Sequence, residues 1–196
     1  VIVNNPNNPT GVVYSEETIR RMAGVLERKS REIGHPIVLI SDEPYRELVY
    51  DGVQVPYIPK FYKDTVVVYS YSKSLSLPGE RIGYLAISKD MTDWEEVMGA
   101  ATIAHRILGS VNAPSLMQRV IMRCVDATSD ISVYDRNRIL LYESLKKYGF
   151  QCMKPEGAFY LFVKSPVEDE NEFCQVCKKH RILVVPGSSF FCPGYV

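Results

Sequence analysis

The chain has 196 residues, 46% apolar and 23% charged, enough to bury a real core in one sizeable domain or in one domain and part of another. Lys+Arg and Asp+Glu both number 23, so the charge balance gives no electrostatic footprint for nucleic acid and no such partner is expected. No apolar stretch approaches a membrane span, nothing within these residues reads as a signal peptide, and five cysteines without a scaffold spacing point to reduced thiols in a cytoplasmic protein.

The first segment, "VIVNN", is an apolar strand that runs into the polar loop "NNPNNPTG". A helix follows over "SEETIRRMAGVLERKSREIG": Ser15 is a good N-cap, Glu16 and Glu17 suit the first turn, and Gly34 suits the position after the end. Ile19, Met22, Ala23 and Leu26 lie on one helical face. The second strand, "PIVLIS", exits into "DEPY", and the third, "TVVVYS", into "YSKS". Continuous β-branched runs with polar exits are the pattern of a parallel sheet covered on both faces, and strand, helix and strand together make a βαβ crossover. "RIGYLAIS" is expected to be a further strand, and "DWEEVMGAATIAHRIL" a helix. A longer helical stretch runs roughly from Leu116 to Tyr148, with a break near "DATSD". The remainder alternates strand ("AFYLFV"), helix ("NEFCQVCKKH") and strand ("ILVVPG"), a smaller α/β unit. The fold class is therefore α/β, part of a large, mostly parallel doubly wound sheet domain followed by a smaller C-terminal α/β domain. The expected division places residues 1–110 in the first and the interdomain helix with the small domain in 111–196. The sequence opens inside a strand without methionine and stops at "CPGYV" without a cap or polar tail, so a fragment is expected.

In an open α/β sheet, ligands bind beyond the carboxyl ends of the strands. If the three strands are parallel, one rim receives Asn8, then Asp42 with Tyr45, then Ser70, Ser72 and Lys73, with Arg81 eight residues after the lysine. A lysine in a partly dry, cationic pocket attacks carbonyls as an amine. A carboxylate against a pyridine nitrogen keeps it protonated, which makes the ring an electron sink. A phenol and an amide suit a phenolate oxygen, while hydroxyls and a forked guanidinium suit a phosphate monoester. Taken singly, each residue has a plainer reading: a solvated loop lysine, a helix-capping aspartate, an Asn/Pro/Gly turn, an arginine paired with Glu80, a core tyrosine. Order and placement at strand ends favour the chemical reading. Cys174, Cys177 and His180 in "CQVCKKH" lack a second ligand pair, so buried helix cysteines are expected there and no metal.

"SYSKSLSLPGERIG" (Ser70 to Gly83) resembles the cofactor-attachment signature of the class I/II pyridoxal-phosphate aminotransferases, the aspartate aminotransferase-like enzymes of fold type I. "NNPTG" and "SDEPY" resemble the two upstream cofactor motifs of that family in the same order, and "PEGAFY" and "VVPGSSF" its small-domain strands. The resemblance covers essentially the whole chain. It implies pyridoxal 5'-phosphate held as a Schiff base on Lys73, which also shuttles the proton at the substrate Cα. Asp42 is implied on the pyridine nitrogen, Tyr45 and Asn8 on the ring oxygen O3', and Ser70, Arg81 and Ser72 on the phosphate. Phe159 and Tyr160 are expected in the small-domain core, on a strand that the family places near substrate. Amino-acid and 2-oxo-acid substrates and a homodimer are implied, with Asn112 a candidate contact to the second subunit. A β-lyase of the same fold and the effector domain of an aminotransferase-like transcription regulator are the alternatives. The family's glycine-rich phosphate loop lies upstream of this sequence and its carboxylate-clamping arginine follows a stretch like "CPGYV", so the isolated fragment is expected to be inactive.

Overall fold

The computed structural model describes residues 1–196. Three β-branched runs form parallel strands, β1 (Ile2–Asn4), β2 (Leu39–Asp42) and β3 (Thr65–Ser70). A fourth strand, β4 (Gly83–Ile87), completes the sheet in the order β1-β2-β3-β4 and pairs antiparallel with β3. Helix α1 (Glu16–Ile33) is the crossover between β1 and β2. Between β3 and β4 the chain makes only the short helix α2 (Tyr71–Ser74) and a tight 3₁₀ turn at Pro78–Glu80. A return of that kind leads back antiparallel, because a parallel partner would require a crossover. Gly83 permits the closure: a β-carbon there would lie 2.3 Å from the Tyr69 carbonyl oxygen.

The ends of α1 follow the sequence signals. Ser15 Oγ accepts from the Thr18 amide at 3.2 Å, and Gly34, at φ 80°, donates its N–H to the Ser30 carbonyl. Ile19, Ala23 and Leu26 are buried against Val3, Leu39, Ile58 and Tyr62, with Met22 packed at the margin. Each fully buried Leu or Ile contributes about 1.5–3 kcal/mol, so this contact anchors the crossover to the sheet.

The expected burial of both sheet faces holds on one face only. Leu39, Ser41, Thr65 and Val67 are buried, while Ile40, Asp42, Val66, Val68 and Ser70 on the opposite face are half-buried. Covering that second face would bury Asn4, Asp42 and Ser70 as well, which is costly unless each finds a polar partner.

Beyond the sheet lie α3 (Trp94–Ile107), α4 (Ser115–Cys124) and α5 (Ile131–Lys147). The expected long helical stretch is thus two helices, parted near "DATSD". Helix α6 (Glu170–Lys179) carries Cys174 and a buried Cys177, as its apolar face implied. The two C-terminal strands expected at "AFYLFV" and "ILVVPG" do not form. Pairing there is limited to isolated bridges, Cys152 with Val163 and Lys164 with Tyr195, and residues 182–186 form no strand pairing. Apolar β-branched runs favour extended backbone, but a ladder also needs a neighbouring strand in register. No helix is long and apolar enough to cross a membrane.

Candidate active site

Strand register gathers the candidate residues. Asn4, Asp42 and Val68 are partners across β1, β2 and β3, so they stand side by side at the carboxyl end of the sheet. All three share the half-buried face with Ser70, two residues further along β3. The loops that leave these strand ends carry Asn8, Tyr45 and Lys73 to the same rim.

Asp42 is held from one side. Asn4 Nδ2 donates to Asp42 Oδ2 at 3.0 Å and to its backbone oxygen at 3.1 Å. Burial pushes the carboxyl pKa above its ordinary value, and the Asn4 hydrogen bond only partly offsets that. Asp42 forms no ion pair with any side chain of the chain. A half-buried carboxylate with a single amide donor is suited to a cationic N–H brought by a ligand. Asn4 was not singled out in the sequence reading, although it opens the "NNPNNPTG" loop. Its other contact, Oδ1 accepting from the Asn8 amide at 2.6 Å, folds that loop back toward the sheet.

Tyr45 is buried, and its hydroxyl lies 2.6 Å from that of Tyr160. Burial raises the Tyr45 pKa well above that of a free phenol; the bond to Tyr160 adds to this, while the Asn8 side-chain amide, reaching the same phenol, works against it. The rings of Phe159 and Tyr160 each stand edge-to-face on Tyr45 with centroids 5.6 Å away.

Lys73 occupies the last turn of α2 and is half-buried. Its Nζ lies 5.4 Å from the centre of the Phe159 ring, a cation–π distance. Phe159 thus touches both Tyr45 and Lys73. The aromatic pair expected in a small-domain core instead forms part of the rim, and the Phe-Tyr dipeptide of "PEGAFY" was the signal available for it. Its delivery depends on tight loop packing. The Glu156 and Gly157 amides donate to the Gly11 carbonyl at 2.8 and 2.9 Å, and a β-carbon on Gly157 would sit 2.7 Å from Pro6.

The hydroxyls and the guanidinium behave differently. Ser70 Oγ caps α2 by accepting from the Ser72 amide at 3.2 Å and lies 2.8 Å from Ser72 Oγ. Pairing of β3 with β4 puts Gly83 opposite Ser70, and the Tyr71 amide donates to Ile82 O at 3.2 Å, so the Arg81 backbone is close by. Its guanidinium turns away, donating to the Pro78 carbonyl at 3.0 Å from an exposed position. Arg81 and the serine pair are brought to one end of the sheet but not into contact.

The result is a four-stranded α/β sheet with an acid, a phenol, an amine and paired hydroxyls at one rim, a candidate ligand site. Comparison with known proteins gives it a family. The model of "Aminotransferase class I and II" matches residues 1–196, and the chain belongs to that family of pyridoxal-phosphate-dependent enzymes. It is 30% identical to an aspartate aminotransferase of Thermotoga maritima, over 100% of this chain and 50% of that protein. An aspartate aminotransferase of Bacillus subtilis matches equally, at 30% over 100% of the chain and 51% of the relative. Among solved structures, an aminotransferase from Eubacterium rectale is 54% identical with a TM-score of 0.96, covering 99% of this chain and 49% of the other. The chain spans about half the length of the curated relatives it matches.

Proposed function

We propose that this chain supplies the cofactor-attaching half of an aminotransferase that moves an amino group between an amino acid and a 2-oxo acid. The observation that carries the reading is Asp42: a half-buried carboxylate with one amide donor, in strand register with β3, the strand that runs directly into α2 and Lys73. The side chains at the rim fit pyridoxal phosphate. When bound, that cofactor supplies an aldehyde that captures amines and a protonated pyridine ring that draws electrons from the substrate Cα.

Each residue then has a task. Asp42 would accept a hydrogen bond from the ring N–H and keep that proton in place, with burial strengthening the attraction. Lys73 Nζ would hold the cofactor, and its amine is the base that would move the proton at the substrate Cα. Tyr45 and Asn8 would donate to the ring oxygen. Ser70 and Ser72 offer hydroxyls to the phosphate, and Arg81 joins them by swinging from Pro78, a change of one long and exposed side chain. Phe159 lies over Lys73 and screens it from water. Residues 1–110 act as the larger, cofactor-holding unit and 111–196 as the second, with a homodimer in the cytoplasm as the working form.

Product analysis on the complete polypeptide carrying this chain tests the reaction. With an amino-acid donor and 2-oxoglutarate, glutamate accumulates in step with the 2-oxo acid of the donor. Release of ammonia and pyruvate from cysteine conjugates, without glutamate, identifies a β-lyase and overturns the proposal.

A further inference from the structure

Tyr45 cannot direct its own proton. A phenol carries one O–H and two acceptor lone pairs, and two phenols 2.6 Å apart share a single proton between them. If Tyr45 donates to Tyr160, the direction in which that bond raises the Tyr45 pKa among the chain's own groups, no proton remains for a ligand; if Tyr160 donates, the Tyr45 proton is free to point outward. Tyr160 is half-buried and placed by a rigid segment: Ala158, two residues before it, is buried, with its N–H given to Leu48 O at 2.8 Å and its carbonyl accepting from Tyr50. Neither ring can swing aside without breaking the edge-to-face packing of Tyr45 with Phe159 and Tyr160.

Resting on the cofactor reading above, we infer that Tyr160 is a positioning residue that donates its proton to the Tyr45 oxygen and so aims the Tyr45 O–H at the ring oxygen of bound pyridoxal phosphate. A phenol that accepts a hydrogen bond becomes a stronger donor, because the chain of bonds polarises. An anionic ring oxygen is also a better acceptor than a neutral phenol, so binding itself selects this proton order. In this role Tyr160 acts through Tyr45, the side chain its hydroxyl meets.

The readout is the pH midpoint of the absorbance change of bound cofactor in the complete holoprotein. Donation to the ring oxygen stabilises its negative charge, which is greatest when the adjoining nitrogen on Lys73 is unprotonated, so each donor holds the midpoint down. Tyr45→Phe raises it. Tyr160→Phe is expected to raise it by less, roughly 0.4–1 on the pH scale, the equivalent of one net hydrogen bond. The Tyr45→Phe/Tyr160→Phe double variant should match Tyr45→Phe alone, because Tyr160 has no route of its own. A 3-fluorotyrosine at position 160, a stronger donor in an unchanged ring, should lower the midpoint and serves if the Phe variant folds poorly. An unmoved midpoint in Tyr160→Phe beside a raised one in Tyr45→Phe overturns the inference while leaving the cofactor reading intact. Additive shifts in the double variant overturn it too, since they give Tyr160 a direct contact. If Tyr45→Phe leaves the midpoint where it was, the assignment of the site itself fails, and this inference with it.

Discussion

Residues 1–90 and residues 150–196 have similar apolar patterns and reach different ends. In the first region the pattern is consumed: Ile19, Leu39 and Ile58 are fully buried, and the strands pair in register. In the second, Leu183 is 84% exposed, its neighbours Ile182 and Val185 are more than half exposed, and Phe162, Phe173 and Phe190 line an apolar cavity of about 570 Å³. Polar contacts contribute to order there, beside the stacking of Phe162 on Tyr195. Glu170 accepts from the Gly194 and Ser188 amides, and Val163 and Val196 exchange two backbone bonds of 2.8 Å. An apolar run states a demand for burial; only a partner in space meets it. The comparison also explains the site, which draws its acid, phenol and amine from the packed region and only its aromatic cover from the other.

The comparison can be broken at four points, the largest first. Under the proposed function Lys73→Ala would remove both the cofactor attachment and the base, and amino-group transfer by the complete protein should fall by about 10⁴-fold in a turnover assay. Leu39→Ala opens a cavity beneath α1 and should cost about 2–5 kcal/mol in urea unfolding. A cost near zero would mean that the sheet core is not where stability resides.

The third point is electrostatic and joins the two regions. Arg138 on α5 is buried, pairs with Asp51 at 3.0 and 3.1 Å, reaches the Pro155 carbonyl at 2.7 Å and lies 4.3 Å over the Tyr50 ring. Burial opposes its charge, but the bonds to Asp51 and Asp135 outweigh that and raise its pKa. Those bonds, with Lys154 second, hold the Asp51 carboxyl down at about 2 against an ordinary 3.8. A depressed acid stabilises the fold above its unfolded pKa and loses that contribution as pH falls toward its folded one. Asp51→Asn should therefore lower the urea midpoint at pH 5, and the gap from the unmodified protein should narrow by pH 2. A gap independent of pH would remove this pair from the account. The smallest effect belongs to Leu183→Ser, expected to stay within about 0.5 kcal/mol because the side chain is exposed.

The sheet, its order of elements and both caps of α1 were readable because each rests on local chemistry: a β-branched run, Ser15 before two glutamates, Gly34 at a left-handed turn. Convergence of Asn8, Asp42, Tyr45 and Lys73 on one rim was readable as well, since parallel strands deliver their exits to one end by topology. Strands at "AFYLFV" and "ILVVPG" were misread because apolar runs do not report whether a neighbour exists. Asn4 and Tyr160 meet candidate residues by a 3.0 Å bond to Asp42 and a 2.6 Å contact with Tyr45, and no spacing rule encodes contacts 38 and 115 residues apart. The rotamer of Arg81, on Pro78 and not on the serines, lies equally beyond a sequence pattern.

The central claim is that Lys73 is the amine that captures the cofactor, and chemical trapping addresses it directly. The complete polypeptide is loaded with pyridoxal phosphate, reduced with borohydride, digested and mapped by mass spectrometry. The account predicts the phosphopyridoxyl group on the peptide that carries Lys73, with Asp42→Asn lowering the yield. Stoichiometric label on any other lysine, with Lys73 unmodified, would contradict it.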